Sequence, residues 1–276
     1  MIRLKGISMA EKKKFRQPEV DSNTVAELSQ KLLEANARLQ QAERERKLML
    51  ENISHDLRAP LTAIRSAIDY LNQKNTDCGL QSSGDEMTQM LHLIDNRTRT
   101  LEVLISDLYY LTCIENGSDE LKLQKVPLSQ FLEEYFFAAQ IDDKYSARNL
   151  ICEIPDDYDA EVNVDVGKMS RVLDNLFTNA RKYSENGADI VLGVLDEGQL
   201  STFYVKDTGK GIPEEALDHI FERTYRVSGA RTPDGESSSG LGLSIVKGIV
   251  TQHGGRIWCE SKLGKGSCFY VELPKA

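Results

Sequence analysis

The sequence predicts an α+β protein of more than one domain, in which an N-terminal coiled coil and helical hairpin precede a C-terminal α/β sandwich. Three observations lead to this fold class. Residues 25–111 carry apolar side chains at helical spacing, and from residue 121 onward short strand-like runs alternate with helical patterns. The chain has 276 residues, 40% of them hydrophobic, which is enough to bury a core and indicates about two domains.

The N-terminal third reads as one long helix after a short leader. Residues 1–21 are polar and basic without periodicity, which predicts a disordered or appended segment. From Val25 onward, apolar or small residues recur about every 3.5 positions, interrupted only by Arg46, so residues 22–50 are predicted to form a coiled-coil helix. Because the stripe continues as far as Leu71, the helix is predicted to span about residues 22–74, roughly 80 Å at 1.5 Å per residue.

A second helical stripe follows a polar break. Residues 75–85 are rich in polar and small side chains and end the first helix, and apolar positions then recur over residues 87–111. Residues 51–117 are therefore predicted to form a helical hairpin that cannot cover both of its apolar stripes alone. Two hairpins from two chains would cover them as a four-helix bundle, so the sequence predicts a homodimer.

The C-terminal half, residues 118–276, predicts a sheet covered by helices. Its strand-like segments are residues 121–126, 149–154, 190–195, 200–206, 256–260 and 267–273, and its helical patterns lie near residues 128–145, 166–184, 214–222 and 241–253.

Composition narrows the class of function. The formal charge is −9, with 34 Lys and Arg against 43 Asp and Glu, so a direct nucleic-acid partner is not expected. Five scattered cysteines without a CxxC pair predict free thiols in a reducing compartment rather than a metal site. No apolar run approaches the ~18 residues of a membrane span, which predicts a cytoplasmic location for the chain as given.

The first helix contains a candidate nucleophile in the segment SHDLRAPLT. His55 lies two residues before Leu57, so it points away from the apolar seam, and Asp56 can hold one ring N–H while the other nitrogen attacks. Pro60 removes one helical hydrogen bond and permits a bend. A bare His-Asp pair is more often an ordinary surface feature, so the function of this segment depends on the second domain.

A predicted helix in the second domain carries polar side chains on one face. Asn175, Asn179, Lys182 and, more loosely, Tyr183 recur at helical spacing in DNLFTNARKY. An amide oxygen suits hydrated Mg²⁺, an ammonium group suits phosphate, and an aromatic ring can lie against adenine. A solvated helix surface would fit the same pattern.

Two glycine-containing segments follow. In VKDTGKGIP, Asp207 leaves a strand and can accept from the amine of adenine, while Gly209 and Gly211 permit close approach of the backbone. In GLGLSIV, Gly240 and Gly242 open a helix whose free N–H groups can receive phosphate. Each segment alone would also fit a turn or a helix cap, and no GxxxxGK[ST] motif of P-loop enzymes occurs.

Between the glycine segments, FERTYR and a Gly-, Ser- and Arg-rich stretch to residue 239 predict a mobile lid whose arginines could reach phosphate. Flexible loops of this composition are also often inert.

Five segments together resemble those of sensor histidine kinases of two-component systems. SHDLRAPLT resembles the phosphoacceptor box, NLFTNARKYS the N box, DTGKGIP the first glycine box, FERTYRV the F box and GLGLSIVK the second glycine box. Their order and spacing match over about residues 25–273.

The resemblance implies a fold, a reaction and partners. It implies a phosphotransfer hairpin joined to an ATP-binding sandwich of the gyrase, Hsp90 and MutL (GHKL) type, occupied by ATP and Mg²⁺. It implies that His55 is phosphorylated with Asp56 as general base, and that a response regulator then accepts the phosphoryl group on an aspartate. Receptors of this kind often carry membrane and sensing segments upstream.

The resemblance also implies individual roles in nucleotide binding. Asn179 would hold Mg²⁺ with Asn175 nearby, Lys182 would contact phosphate, Tyr183 would lie by adenine and Asp207 would read the adenine amine. The remaining residues that it implies around the nucleotide are Gly209, Gly211, Ile212, Phe221, Arg226, Gly240, Leu241, Gly242 and Leu243.

Three departures from the family's usual residues stand out. Ala59 occupies the position where Thr or Asn commonly supports dephosphorylation of the regulator, so phosphatase activity is expected to be weak. Asp56 in place of Glu and Thr224 in place of an aromatic residue look tolerable.

Two other functions remain open at this stage: a GHKL-fold ATPase or serine kinase, and a nucleotide-binding scaffold without catalysis. Whether phosphate moves within one chain or across a dimer depends on the connection at residues 75–85, which the sequence leaves undecided.

Overall fold

The structure is a computed structural model that describes residues 22–76, 84–115, 120–227 and 240–276. The predicted N-terminal segment at 1–21, the core of the hairpin connection at 77–83 and the predicted lid at 228–239 lie outside the described residues. The chain divides between Leu50 and Glu51 into two compact units.

The first unit is described by the beginning of the long helix α1 (Ser22–Thr76). The bounds of α1 agree with the predicted helix over residues 22–74. Leu28, Leu32 and Leu39 of the predicted stripe are exposed, whereas Met49 is buried. The exposed leucines form the surface that a coiled-coil partner would cover.

The second unit begins with the rest of α1 and with α2 (Gly84–Glu115), the two predicted helices of the hairpin. The Tyr70 hydroxyl on α1 donates to Glu86 on α2 over 3.5 Å. Much of the apolar surface of both helices, including Leu61, Leu91 and Ile105, is exposed. The helices therefore leave the large apolar surface that the predicted four-helix bundle would bury.

A five-stranded sheet forms the centre of the C-terminal region. In chain order its strands are β2 (Asn149–Glu153), β4 (Asp189–Glu197), β5 (Leu200–Asp207), β6 (Arg256–Lys262) and β7 (Gly266–Pro274). Their spatial order is β2-β4-β5-β7-β6, with β2 and β4 parallel and the other pairs antiparallel. Two short strands, β1 (Gln124–Pro127) and β3 (Glu161–Val164), pair separately.

Helices cover one face of this sheet. They are α3 (Leu128–Gln140), α4 (Val166–Tyr183) and α6 (Gly242–Gln252), with the single turn α5 (Glu214–Leu217) following β5 in the chain. Phe203 and Val205 of β5 and Val271 of β7 share the register that faces the helices, and all three are buried. Leu176 of α4 and Ile249 of α6 complete this core, which holds the two helices at fixed positions on the sheet.

Several predicted bounds differ from the structure. The strand predicted at 121–126 is β1, which begins three residues later because the backbone N–H of Lys122 donates to Asp165 and leaves the ladder. The helical pattern at 128–145 divides into α3 and a 3₁₀ turn at Asp143–Tyr145, and the one at 214–222 is helical only over α5. The prediction missed β3, although its alternation of buried and exposed residues is visible at Val162 and Val164.

Candidate active site

Helix α4 carries the polar face predicted from the sequence, and its N-terminus is anchored to the surrounding structure. At the N-terminus the Asp165 side chain accepts from the backbone N–H of Lys168, which caps the helix. The buried His253 at the end of α6 accepts from the backbone N–H of Asp165 and contacts the carbonyl of Ile249 through its other nitrogen. Because the helix is anchored, its polar face has a defined position.

The two asparagines of α4 lie in different surroundings. The amide nitrogen of Asn175 donates to the carbonyl of Arg171 over 2.9 Å, and its oxygen lies at the first residue of α6, Gly242. The side chain of the half-buried Asn179 makes no hydrogen bond to any of the residues that the structure describes. Its amide oxygen is therefore available to a ligand.

The first glycine loop closes over the C-terminal end of α4. The backbone N–H of Lys210 donates to the carbonyl of Tyr183 over 3.0 Å, and the N–H of Gly209 donates to a carboxylate oxygen of Asp207 over 2.8 Å. A Cβ atom at residue 209 would collide with the Tyr183 carbonyl. The loop thus brings Asp207, Gly209 and Tyr183 together, as expected for an adenine site.

The next turn of this loop is fixed by β6. Gly211 has φ 69°, and a Cβ atom there would collide with the carbonyl of Lys262, so only glycine fits. The N–H of Ile212 donates to the Ser261 hydroxyl over 2.7 Å, and that hydroxyl lies 3.0 Å from the Ser267 hydroxyl.

Asp207 has an unusual environment for a carboxylate. Burial raises its pKa to about 6, against the lowering effect of hydrogen bonds from the backbone N–H groups of Gly209 and Ser267. The sequence reading had missed Ser267 and Ser261. The strand register reveals these two serines, because Asp207 on β5 lies opposite Ser267 on β7, and Ser267 lies opposite Ser261 on β6.

The second glycine segment borders the opposite end of the α4 polar face. Gly240 has φ 67°, and its carbonyl accepts from the Thr224 N–H over 3.0 Å. A Cβ atom on Gly242 would lie 2.6 Å from the Asn175 oxygen. Leu241 is buried in the core, whereas Leu243 is half-buried.

The two glycine segments therefore flank one stretch of α4. Gly209 contacts residue 183 and Gly242 contacts residue 175, a separation of about 12 Å along the helix axis. Between these ends lie the half-buried Asn179 and Lys182. An elongated ligand with a polar ring at one end and anionic groups at the other fits this arrangement.

His55 occupies an exposed position on α1. Its side chain is 79% exposed, as its place relative to the apolar seam predicts, and its Nδ1 lies 3.5 Å from a carboxylate oxygen of Asp56. Asp56 itself is buried. Helix α1 continues through the buried Pro60.

The segment between the glycine loops contacts two neighbours of this histidine on α1, Asn52 and Asp56. Arg226, predicted as a nucleotide residue, forms an ion pair with Asp56. The Asn52 side chain donates to the Thr224 hydroxyl over 3.0 Å. Thr224 has φ 58°, an unfavourable conformation for a β-branched residue. Phe221, also predicted at the nucleotide, lies edge-on to the ring of Phe269 at 6.4 Å.

A second bridge joins α2 to α4, which the sequence reading did not foresee. Asp107 and Arg171 form an ion pair of 2.6 Å, and the Arg171 guanidinium lies 4.4 Å from the centre of the Tyr110 ring. Burial raises the pKa of Asp107, opposed by the hydrogen bond and charge of Arg171 and by the charge of Lys182. The charge of Lys182, on the polar face of α4, therefore influences the ionisation of Asp107 on α2.

Metal and thiol chemistry are limited in the described part of the chain. Its residues hold no group of three or more His, Cys, Asp and Glu suited to a metal. Cys113, Cys152, Cys259 and Cys268 form no disulfide, and burial raises the pKa of Cys259 to about 12. Cys78, the fifth cysteine, lies outside the described residues.

Comparison with known families assigns two stretches of the chain. The model of the His Kinase A (phospho-acceptor) domain matches residues 45–117, and that of the histidine kinase-, DNA gyrase B- and HSP90-like ATPases matches residues 164–276. The chain belongs to the sensor histidine kinases. His55 lies within the first match, and all the predicted nucleotide residues lie within the second.

Curated relatives agree with this family. The chain is 35% identical over 237 residues to sensor protein kinase WalK of Staphylococcus saprophyticus and 34% identical to that of Staphylococcus aureus, with 85% of this chain covered in each case. It spans only 37% and 55% of the length of these two kinases.

Solved histidine kinases share the fold. The structure of ThkA in complex with response regulator protein TrrA matches with a TM-score of 0.64 at 22% identity, over 87% of this chain and 66% of that one. Acinetobacter baumannii AdeS matches with a TM-score of 0.60 at 22% identity, over 80% of this chain and 97% of that one. Within the described residues, no helix has the length and apolar character needed to cross a membrane.

Proposed function

We propose that this chain is an ATP-dependent protein-histidine kinase that phosphorylates its own His55 and passes the phosphoryl group to an aspartate of a response regulator. One observation carries the proposal beyond family membership. Thr224 and Arg226, from the segment between the two glycine loops, contact Asn52 and Asp56 beside the exposed histidine. A segment that borders the proposed nucleotide site therefore contacts the residues beside the proposed nucleophile.

The proposed phosphorylation proceeds by attack of a neutral imidazole. The lone pair of His55 Nε2 forms the bond to the γ-phosphorus, the bond from that phosphorus to its bridging oxygen breaks, and ADP leaves with the electron pair. The ring then carries a positive charge, which Asp56 relieves by accepting the Nδ1 proton. The 3.5 Å separation of Nδ1 from Asp56 supports this role.

Arg226 competes for the same carboxylate. Its guanidinium donates to Oδ2 of Asp56, while the His55 ring lies at Oδ1 of the same group. We therefore expect Arg226 to leave Asp56 for the nucleotide phosphates before Asp56 acts as a base, which reconciles the observed contact with the role predicted for the arginine.

We assign the nucleotide to the polar face of α4. Adenine lies at Asp207, Gly209 and Tyr183, and the phosphates extend toward Gly242 and the start of α6. The half-buried Asn179 fits a magnesium ion, which typically takes one or two protein oxygens and completes its shell with phosphate and water. When bound, the ion would neutralise charge on the phosphates. Lys182 lies on the same face and supplies a second positive charge.

The partners follow from the proposed reaction. Phosphotransfer breaks the N–P bond, returns its electron pair to the ring and forms a P–O bond to the aspartate of the regulator. The fold shared with ThkA, solved with its regulator TrrA, supports this partner. The exposed apolar stripes of α1 and α2 support the homodimer. Because the reaction needs ATP, we propose a cytoplasmic location for this part of the protein.

The test is incubation of the full chain with Mg²⁺ and γ-labelled ATP, followed by acid and alkali. A phosphohistidine loses its label in acid and keeps it in alkali. His55→Gln should abolish labelling, whereas His92→Gln, the same change at an exposed histidine of α2, should leave it intact. Asn179→Ala should remove Mg²⁺-dependent ATP binding.

The two competing functions give different results in this test. An acid-stable label, or release of inorganic phosphate without labelling, would indicate a serine kinase or an ATPase. Nucleotide binding without either product would indicate a scaffold. Each result would contradict the proposal.

A further inference from the structure

Helix α4 ends without a cap of its own. Its last residue is Tyr183, and Ser184 follows in an extended conformation with φ −114° and ψ 158°. The terminal carbonyls of a helix lack partners within the helix and need donors from elsewhere. No glycine in the left-handed conformation supplies them at Ser184, so the donors come from distant parts of the chain.

One of these donors is Arg148, in the loop before β2. Its Nε donates to the Ser184 hydroxyl over 3.0 Å, and one terminal nitrogen donates to the carbonyls of Arg181 and Ser184 over 3.0 and 2.9 Å. The other terminal nitrogen donates to the Asn186 side chain over 2.6 Å and to the carbonyl of Ala147 over 3.2 Å. A single guanidinium thus binds the last turn of α4 at Arg181 and the residues after it at Ser184 and Asn186.

The chemistry of this contact suits arginine alone. The planar fork presents donors in several fixed directions, which an ammonium group cannot do. A positive charge at the C-terminal end of a helix also interacts favourably with the helix dipole. Ser184 is fully buried, so water does not replace the guanidinium at its hydroxyl.

The second set of donors comes from the first glycine loop. The N–H of Lys210 donates to the carbonyl of Tyr183, and Gly209 lies against the same carbonyl. Gly209 in turn donates to Asp207. The last turn of α4 therefore connects Arg148 on one side with the proposed adenine site on the other.

The body of α4 does not depend on this arginine. Leu173, Leu176, Phe177 and Ala180 are buried and hold the helix on the sheet. Loss of Arg148 should consequently loosen only the last turn, which carries Lys182 and Tyr183, and the glycine loop attached to it.

We propose that Arg148 is a positioning residue for ATP, which acts by holding the last turn of α4 and, through the Tyr183 carbonyl, the first glycine loop. Arg148 belongs to none of the segments that resemble the N box, the F box or the glycine boxes. It lies 27 positions before the first of these segments. The inference rests on the proposed function, since it concerns the same nucleotide site.

Arg256 offers a matched control. It is also an arginine at an edge of the same sheet, it pairs with Glu272 over 3.1 Å, and its guanidinium lies 4.7 Å from the Trp258 ring. It lies on β6 and contacts neither α4 nor the first glycine loop. Arg256→Ala therefore removes an arginine with its ion pair and its ring contact without touching the proposed nucleotide site.

The experiment measures KM for ATP and kcat for self-phosphorylation in wild type, Arg148→Ala, Arg148→Lys and Arg256→Ala. We expect Arg148→Ala to raise KM roughly ten- to hundredfold with kcat at saturating ATP nearly unchanged. Arg148→Lys should recover only part of this loss, because the ammonium cannot reach all the acceptors. Millimolar guanidinium should lower KM in Arg148→Ala and have no effect on Arg256→Ala, whose KM should match wild type.

The possible failures are distinct. An unchanged KM in Arg148→Ala, or a lower kcat with an unchanged KM, would mean that the arginine only stabilises the fold and would overturn the inference while the proposed function stands. An equal rise of KM in Arg256→Ala would overturn it as well. If wild type itself bound no ATP, both the proposed function and this inference would fall.

Discussion

Replacement of Asp207 by Asn should affect stability and nucleotide binding in opposite directions. Burial raises the pKa of this carboxylate from 3.8 to about 6 in the folded chain. Asparagine has nearly the same shape but no charge to bury. Its oxygen can still accept from the Gly209 N–H, while its amide nitrogen cannot accept from Ser267.

The size of the stability effect follows from linkage. Because the folded-state pKa is raised, the contribution of Asp207 is fully present below the unfolded-state pKa of 3.8 and is lost as pH rises through about 6. At about 1.36 kcal/mol per pKa unit, the total loss is about 3 kcal/mol. Roughly half of it, about 1.4 kcal/mol, falls between pH 5 and pH 8, where both states can be measured.

The assay is urea unfolding of the full chain at several pH values. Fluorescence of Trp258, the single tryptophan, reports on β6 of the same sheet. From pH 5 to pH 8 the free energy of unfolding of Asp207→Asn should rise by about 1.4 kcal/mol relative to wild type. The loss of the Ser267 hydrogen bond shifts the whole curve but does not change this slope. Asp142→Asn, at a carboxylate of the same domain whose pKa is lowered by hydrogen bonds from Lys144, is the control. Because its contribution to stability is already complete above the unfolded-state pKa of 3.8, it should show no such divergence.

ATP binding should change the other way. A charge-assisted hydrogen bond to the adenine amine is worth about 1.5–3 kcal/mol, so Asp207→Asn should bind ATP roughly tenfold or more weakly. If the difference in unfolding free energy between Asp207→Asn and wild type stayed constant from pH 5 to pH 8, the conclusion that burial raises the pKa of Asp207 would be refuted. Unchanged ATP affinity would refute the adenine-reading role.

Three further variants test separate parts of the account. Asp56→Asn should slow self-phosphorylation by about 10²–10⁴-fold at unchanged ATP affinity, because it removes the general base; a normal rate would exclude that role. Ala59→Thr should speed the loss of phosphate from a purified phospho-regulator, whereas rapid loss with the unaltered chain would contradict the expectation of weak phosphatase activity. Asp107→Asn should destabilise the docking of α2 on α4 by only about 1 kcal/mol, because it weakens the hydrogen bond from Arg171 but also removes a buried charge; hydrogen exchange of α2 measures this, and unchanged protection would contradict it.

Local patterns predicted the fold well where periodicity was long. The 3.5-residue repeat over residues 25–71 and the amphipathic spacing around Asn175 and Asn179 correspond to α1 and α4. Short elements were less accurate, because the four residues of β3 carry little periodicity and α5 ends where its pattern was expected to continue. Tertiary contacts decided these bounds.

The residues that the sequence left unnoticed act through long-range contacts. Arg148 lies 33 and 36 positions from the two residues, Arg181 and Ser184, whose carbonyls it binds. Asp107 lies 64 positions from Arg171. Ser267 reaches Asp207 only through the strand register. No local spacing rule joins such pairs, whereas the glycine boxes could be read from a few adjacent residues.

The central claim is that a nucleotide bound along α4 delivers its terminal phosphoryl group to the exposed imidazole of α1. The most direct measurement is mapping of the modified residue by mass spectrometry after incubation with Mg²⁺ and ATP, with the sample kept alkaline throughout. The account predicts one phosphoryl group per chain on His55. Phosphate on a serine, a threonine or another histidine, or an unmodified chain that has hydrolysed ATP, would contradict it.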